Sequence, residues 1–245
     1  MNDYKLLKQN AKYISPDKAK TLHGLFDIRA KISPNDIAYK YYVKELGRWE
    51  YLLWHEIARK IKEWQSALIN ERLNKEDRVA IQLKNCPEWI IFDQSALSNN
   101  LVTVPLYMDD RPENIDFILD ETRAVLLLVQ NYFHLKKLEK VIAKNKFLKR
   151  ILLLENIDDA SIFSKLDKRV ELVSDWLKKD MNHLPEKIGH NSNTLASIVY
   201  TSGTTGKPKG VMLSHLNMLS VAYGGLSMLD CFKTDVFLSF LPLSH

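Results

Sequence analysis

Residues 200–210 read YTSGTTGKPKG. Four hydroxyl side chains, Thr201, Ser202, Thr204 and Thr205, share this run with Gly203, Gly206 and Gly210 and with Lys207 and Lys209. The hydroxyls are rotatable donors and the lysines compact positive charges. Glycine permits positive φ and lets backbone N–H groups come close to a ligand. These are the requirements for gripping a polyphosphate, by the same logic as other anion-binding backbone concavities. The chemistry implied is nucleotide binding.

The elements that must position this run are readable on either side. The apolar stretch Leu195, Ala196, Ser197, Ile198, Val199 precedes it, Val211, Met212 and Leu213 follow, and Ser214 then has the character of a helix N-cap. The order is strand, loop, strand, helix. This is not the common P-loop, which needs four residues between its first glycine and a Gly-Lys pair, then Ser or Thr. Here only two residues separate Gly203 from Gly206, and Lys207 is followed by Pro208. Proline carries no hydroxyl for a magnesium ion and disfavours helical geometry at the residue before it.

YTSGTTGKPKGVMLSHLN resembles the signature of the AMP-forming acyl-CoA synthetases, within the adenylate-forming superfamily. DRVAIQLKNCPEWIIFDQSAL and LVTVPLYMDDRPENIDFILDET are similar to the family's N-terminal blocks, and FLSFLPLSH to its next active-site motif, whose last position is His245. The similarity runs from about Thr21 to the last residue, with a less recognisable stretch between Leu154 and Asn193. The VPLY and LPLSH runs point toward the long-chain fatty acid branch. The resemblance implies that a fatty carboxylate attacks the α-phosphorus of ATP, pyrophosphate leaves, and the acyl-adenylate reacts with the thiol of coenzyme A. It places Thr201, Ser202, Gly203, Thr204, Thr205 and Gly206 around the β- and γ-phosphates, with Lys207 and Lys209 neutralising them. It gives Thr204 a share in holding Mg2+ and makes His245 a catalytic residue beside the adenylate. Residues 1–20 are then a polar lead-in, and residues 21–245 an AMP-binding N-terminal domain incomplete on its C-terminal side. The acid that completes the magnesium site, the ribose-binding aspartate and the adenylation lysine of the family have no counterpart here. The 245-residue chain is therefore expected to be a fragment inactive by itself and prone to self-association. Two other readings stay open: a non-catalytic nucleotide-binding module, and a fatty acyl-AMP ligase serving an acyl carrier protein.

Composition sets the wider bounds. With 46% hydrophobic and 27% charged residues the chain has the make-up of a globular protein with a sizeable core. A net charge of +5 suits polyanionic substrates. With neither zinc spacing, nor an aromatic RNA-binding box, nor a basic helix, no nucleic-acid partner is expected. Cys86 and Cys231 read as free buried thiols of a reducing, cytoplasmic compartment, with peripheral membrane contact an open possibility. The N-terminus is too polar for a signal peptide, and the uncharged stretch from Val211 to Leu229 reads as a buried or half-buried helix. The five tryptophans, Trp49, Trp54, Trp64, Trp89 and Trp176, read as core or half-buried anchors.

The pattern predicts a hairpin from Ile37 to Val43 and Arg48 to Leu52, then a helix presenting Ile57, Ile61, Trp64 and Leu68. Strands at 79–83, 101–106, 125–129 and 151–154 alternate with helices opened by Pro87 and Pro112 and one running through Leu135, Leu138 and Ile142. Near-continuous apolar strands between amphipathic helices predict an α/β fold with a mostly parallel sheet flanked by helices. Asn99-Asn100 before the VPLY strand is expected to make a turn in left-handed geometry. A soft boundary is expected around 184–194, and His215 is expected to serve helix-start packing.

Overall fold

The computed structural model describes residues 13–157, 160–178, 191–201, 207–229, 231–232 and 234–244. In chain order its elements are α1 (Pro16–Ala19), α2 (Leu22–Ile32), β1 (Ile37–Val43), β2 (Arg48–Leu53), α3 (Trp54–Asn70), β3 (Arg78–Gln82), α4 (Pro87–Ser98), β4 (Val102–Pro105), α5 (Pro112–Thr122) and β5 (Leu126–Val129). They continue with α6 (Tyr132–Lys137), α7 (Glu139–Lys144), β6 (Arg150–Leu153), α8 (Ala160–Phe163), β7 (Val170–Leu172), α9 (Val173–Trp176), β8 (Leu195–Thr201), β9 (Lys209–Ser214) and α10 (His215–Met228).

A seven-stranded sheet in the order β7-β6-β5-β3-β4-β8-β9 organises the molecule. Every neighbouring pair is parallel except β8 and β9. The mostly parallel α/β sheet expected from the alternation is what forms. Side chains of successive strand residues point to opposite faces, so a doubly covered strand needs apolar residues at every position. Val79 and Ile81 of β3, Leu126 and Leu128 of β5 and Leu152 of β6 join one core cluster, with Ile57, Ile61 and Trp64 of α3 and Phe92 of α4. Ala80, Leu127, Val129, Ile151 and Leu153 join the other, with Ile115, Ile118 and Leu119 of α5, Leu135, Leu138 and Ile142.

The helix after β3 thus lies on one face and the helix after β4 on the other. Adjacent strands whose connections leave in opposite directions open a crevice at their carboxyl ends, where ligands of open α/β sheets bind. β8 is spliced onto β4 through two buried hydroxyls: Ser197 Oγ donates to the Thr103 carbonyl at 3.1 Å, and Thr103 Oγ1 to the Ala196 carbonyl at 3.4 Å. The expected turn before β4 is present, with Asn100 at φ 55°. Its carbonyl accepts the Glu76 N–H at 2.7 Å.

Some expectations are corrected. The helix through Leu135, Leu138 and Ile142 is two short helices, because Leu138 takes φ −94°, ψ 4° between them; all three side chains still reach the core. Trp49 is not a core anchor: it lies on the outer face of the β1–β2 ribbon, 61% exposed and edge-on to Tyr42. Trp64, Trp89 and Trp176 are buried and Trp54 packs against the first cluster. The uncharged stretch does form a helix, α10, but an exposed one: His215 and Leu219 are buried while Val221 and Met228 stand in solvent. α10 touches the body through α1 and α2, where Leu219 meets Ile14 and Ala19, and nothing among the described residues covers the rest. No described helix is long and apolar enough to cross a membrane. Cys86 and Cys231 are free but half-buried, and burial pushes the Cys86 thiol up to about 12, with Glu88 adding to the shift. Most of the expected soft boundary falls in residues 179–190, outside the described residues.

Candidate functional site

β8 and β9 form an antiparallel ribbon in which Val199 faces Val211, Tyr200 faces Gly210 and Thr201 faces Lys209. The register sets Thr201 and Lys209, the strand residues on either side of the run, opposite each other at the carboxyl end of β8. The helix that follows starts only at His215, where Ser214 Oγ accepts from Asn217 N–H and the Asn217 side chain returns to Ser214. The two expected strands and the N-capped helix are therefore present, with residues 202–206 between the strands outside the described residues.

Among the sequence-derived site residues, the structure describes Thr201, Lys207 and Lys209, all exposed at the mouth of the ribbon. Ser202, Gly203, Thr204, Thr205 and Gly206 lie outside the described residues, as does His245. Gly210 has a role different from the one expected of it. It is a strand residue, not a loop residue, and its φ is not positive. A Cβ on it would sit 2.9 Å from both Ile198 Cγ2 and Tyr200 Cζ. The glycine makes room for the tyrosine ring across the ribbon rather than for a ligand.

Beside the loop mouth is a cleft of about 360 Å³, lined by Tyr107, Asp109, Asp110, Asn114, Ile118, Tyr200, Thr201 and Pro208. It lies outside the carboxyl ends of β4 and β8, where the topology predicts a ligand. One wall is the connection from β4 to α5. Gln82, buried at the end of β3, donates from Nε2 to the carbonyls of Tyr107 and Met108 at 3.2 and 3.4 Å and so fixes that connection. Asp110 accepts from the Arg111 N–H at 2.8 Å and from Asn114 Nδ2 at 2.7 Å, tying the connection to the first turn of α5.

The back wall is α5 itself. Asn114, Phe117, Ile118 and Glu121 recur at helical spacing along one stripe that faces the cleft, Lys207 and the end of β8. Asn114 and Ile118 line the cleft. The Lys207 ammonium sits 5.7 Å from the Phe117 ring centroid, a distance at which the ring quadrupole attracts a cation. Tyr200 donates its phenol proton to Glu121 Oε2 at 2.5 Å. Burial, then the Glu121 carboxylate, raises the Tyr200 pKa, so the phenol stays a donor throughout the physiological range. None of these partners is apparent from the loop sequence, because the Tyr200–Glu121 pair spans 79 residues. The FILDET run carries the helical spacing but nothing that says which face meets the loop.

His215 is buried at the start of α10, where its Nδ1 accepts the Leu22 N–H at 3.3 Å, so it serves packing as expected. Among the described residues there is no cluster of three or more His, Cys, Asp or Glu side chains able to hold a metal.

Residues 26–245 match the family described as AMP-binding enzyme. The chain is 30% identical over 243 residues to fatty acyl-CoA synthetase A of Dictyostelium discoideum, a match that covers 94% of this chain and 35% of that protein. It is 30% identical over 245 residues to long chain acyl-CoA synthetase 8 of Arabidopsis thaliana, covering 98% of this chain and 34% of the relative. The chain thus spans about a third of the length of the curated relatives it matches. In fold it superposes on the A-PCP didomain of the carboxylic acid reductase from Segniliparus rugosus, solved in complex with AMP. The TM-score is 0.74 at 18% identity, over 99% of this chain and 37% of the other. The β8–β9 ribbon that flanks the glycine- and hydroxyl-rich run, the mostly parallel sheet and a family match from residue 26 to residue 245 agree, and the chain belongs to the AMP-binding enzyme family.

Proposed function

We propose that this chain supplies the ATP-gripping part of a long-chain fatty acid–CoA ligase. The observation that carries the reading is the β8–β9 register, which brings Thr201 and Lys209 face to face beside the cleft that Thr201 and Pro208 line. The names of the relatives, fatty acyl-CoA and long chain acyl-CoA synthetases, support a fatty carboxylate as the acid and coenzyme A as the acceptor.

In the proposed first step a carboxylate oxygen attacks the α-phosphorus of ATP, and the bond from that phosphorus to the bridging oxygen of pyrophosphate breaks. In the second, the sulfur of coenzyme A attacks the acyl carbonyl and AMP leaves. The protein's share is positioning and charge stabilisation. The hydroxyls and N–H groups of Thr201 to Gly206 hold the β- and γ-phosphates, and Lys207 and Lys209 neutralise charge that grows on the leaving pyrophosphate. Phe117 and Glu121 act behind them, steadying Lys207 and the strand end at Tyr200. Thr204 is the residue proposed to contact magnesium together with phosphate oxygens, and His245 the one beside the adenylate.

The test has two parts. ATP titrated into the purified 245-residue chain is expected to bind weakly, and Lys207→Ala to weaken that binding. In a ligase of the relatives' length carrying these residues, Lys207→Ala or Thr204→Ala is expected to slow ATP–pyrophosphate exchange by roughly a hundredfold, the usual effect of removing one donor from a charge-stabilising site. Unchanged exchange in both variants would remove the loop from the chemistry. Offering coenzyme A against an acyl carrier protein as acceptor then decides which thiol the adenylate serves.

A further inference from the structure

The segment of residues 234–244 has no regular secondary structure, and Val236, Phe237, Leu238 and Phe240 are each at least 75% exposed. One side chain nevertheless holds its backbone from both sides. Asn85 donates from Nδ2 to the Leu241 carbonyl at 2.8 Å and, more weakly, to the Ser239 carbonyl at 3.4 Å. Its Oδ1 accepts the Leu243 N–H at 3.0 Å. Bonding the carbonyl of one residue and the N–H two residues on is what a neighbouring parallel strand does along its edge. Here a primary amide does it, opposite Pro242, which has no N–H of its own to offer.

The hold is given from a rigid base. Asn85 lies between β3 and the Cys86 N-cap of α4, at the carboxyl edge of the sheet that also bears the cleft. The preceding Lys84 N–H is bound at 3.1 Å by Oε1 of the buried Gln130. Beyond the hold, Leu243 packs against the first core cluster and Ser244 is buried.

We infer that Asn85 is a positioning residue: its amide fixes the backbone of residues 239–243, which runs into the LPLSH motif of residues 241–245, at the ligand-facing edge of the sheet. Asparagine is required by chemistry and length. Aspartate lacks the donor and would set a carboxylate against two carbonyl oxygens, glutamine displaces the amide by a methylene, and alanine offers nothing. That the held motif ends in a site residue, His245, rests on the function proposed above; the hold itself does not.

The experiment is NMR on the labelled 245-residue chain without ligand, comparing wild type, Asn85→Ala and Asn85→Asp. The Leu243 amide is expected to exchange about tenfold faster in both variants, the change expected from losing a hydrogen bond of ordinary net strength. The Leu241 carbonyl resonance moves upfield in both, a signature that general loosening would not produce at one carbonyl alone. Amides of β3 and β5 keep their wild-type rates. A Leu243 amide as slow in both variants as in wild type, with the Leu241 resonance unmoved, overturns the inference. ATP added to the wild-type sample reads the loop independently. Absent nucleotide shifts beside a protected Leu243 would count against the proposed function alone, and nucleotide shifts beside a Leu243 amide indifferent to Asn85 would count against the positioning role alone.

Discussion

The two sides of the sheet obey different rules. On the β6-β5-β3-β4 side, helices cover both faces and the central residues of each strand are fully buried. On the β8-β9 side the ribbon pairs from Ser197 to Thr201 after an irregularity at Leu195, yet Val211 and Met212 are exposed and β9 has no neighbour other than β8 among the described residues. The candidate chemistry sits on the second side. Elements that must admit a ligand are drawn from the less stable part of a fold, while the part that carries stability is closed to solvent. The phosphate grip proposed for this chain would rest on a ribbon steadied by α5, not on the depth of the core.

The sharpest way to break that contrast is to truncate one residue on each side. Leu127→Ala, at a fully buried position of β5, is expected to cost about 2–5 kcal/mol in denaturant unfolding. Met212→Ala on β9, two-thirds exposed, is expected to change stability by less than about 0.5 kcal/mol. Comparable losses would mean that something covers β9 in solution. A second copy of the chain is the obvious candidate, and light scattering would detect it.

The covered side carries its own cost. Burial pushes the Asp93 carboxyl on α4 up to about 6, against the neighbouring Thr103 hydroxyl and a hydrogen bond from Gln94 Nε2, which pull it down. Its folded pKa therefore lies above the unfolded value near 3.9. Between the two values the folded state binds a proton that the unfolded state has released, so stability falls as pH rises from about 4 to about 6 and levels off above. Asp93→Asn removes that fall. At pH 7.5 the variant is expected to be more stable than wild type by about 2–3 kcal/mol, with the gap closing toward pH 4. Equal pH profiles in the two proteins would show that the carboxyl titrates as if in water.

How much of this was legible follows from how local each cause is. The strands β3 to β6, the helices opened by Pro87 and Pro112 and the turn at Asn100 depend on neighbours within a few residues, and all are readable. The ribbon was legible too, because apolar runs flank the loop on both sides. What escaped is set by register and long-range pairing. Gly210 belongs by composition to the phosphate run, and only the pairing with Tyr200 shows that its missing Cβ serves a ring. Trp49 looks like a core residue until the β1–β2 ribbon turns that face outward. Asn85 and Glu121 are ordinary residues until the fold brings them to segments 156 and 79 residues away.

Gly210 gives an intermediate effect on the sparse side. An added methyl must displace the Tyr200 ring or the Ile198 side chain, and overpacking of this kind costs about 1–3 kcal/mol. Gly210→Ala is expected to lose that much stability, and to weaken ATP binding because the displaced ring moves the strand end at Thr201. A variant that unfolds like wild type but no longer binds ATP would return the glycine to the loop as a ligand-contacting residue.

The smallest expected effect probes the hold of α5 on the ribbon. Tyr200→Phe removes one charge-assisted hydrogen bond but leaves the ring in the core, and Glu121 is exposed, so water takes up its freed carboxylate. The expected loss is about 1 kcal/mol. Glu121→Gln keeps an acceptor and is expected to lose less. If the pair acts as a unit, combining Tyr200→Phe with Glu121→Ala costs little more than either change alone, which a double-mutant cycle measures directly. Additive losses would mean that each residue is held by something else and that α5 supports the loop through Phe117 and Ile118 only. Because the bond fixes the residue immediately before the phosphate loop, both single variants are expected to weaken ATP binding by more than their loss of stability accounts for.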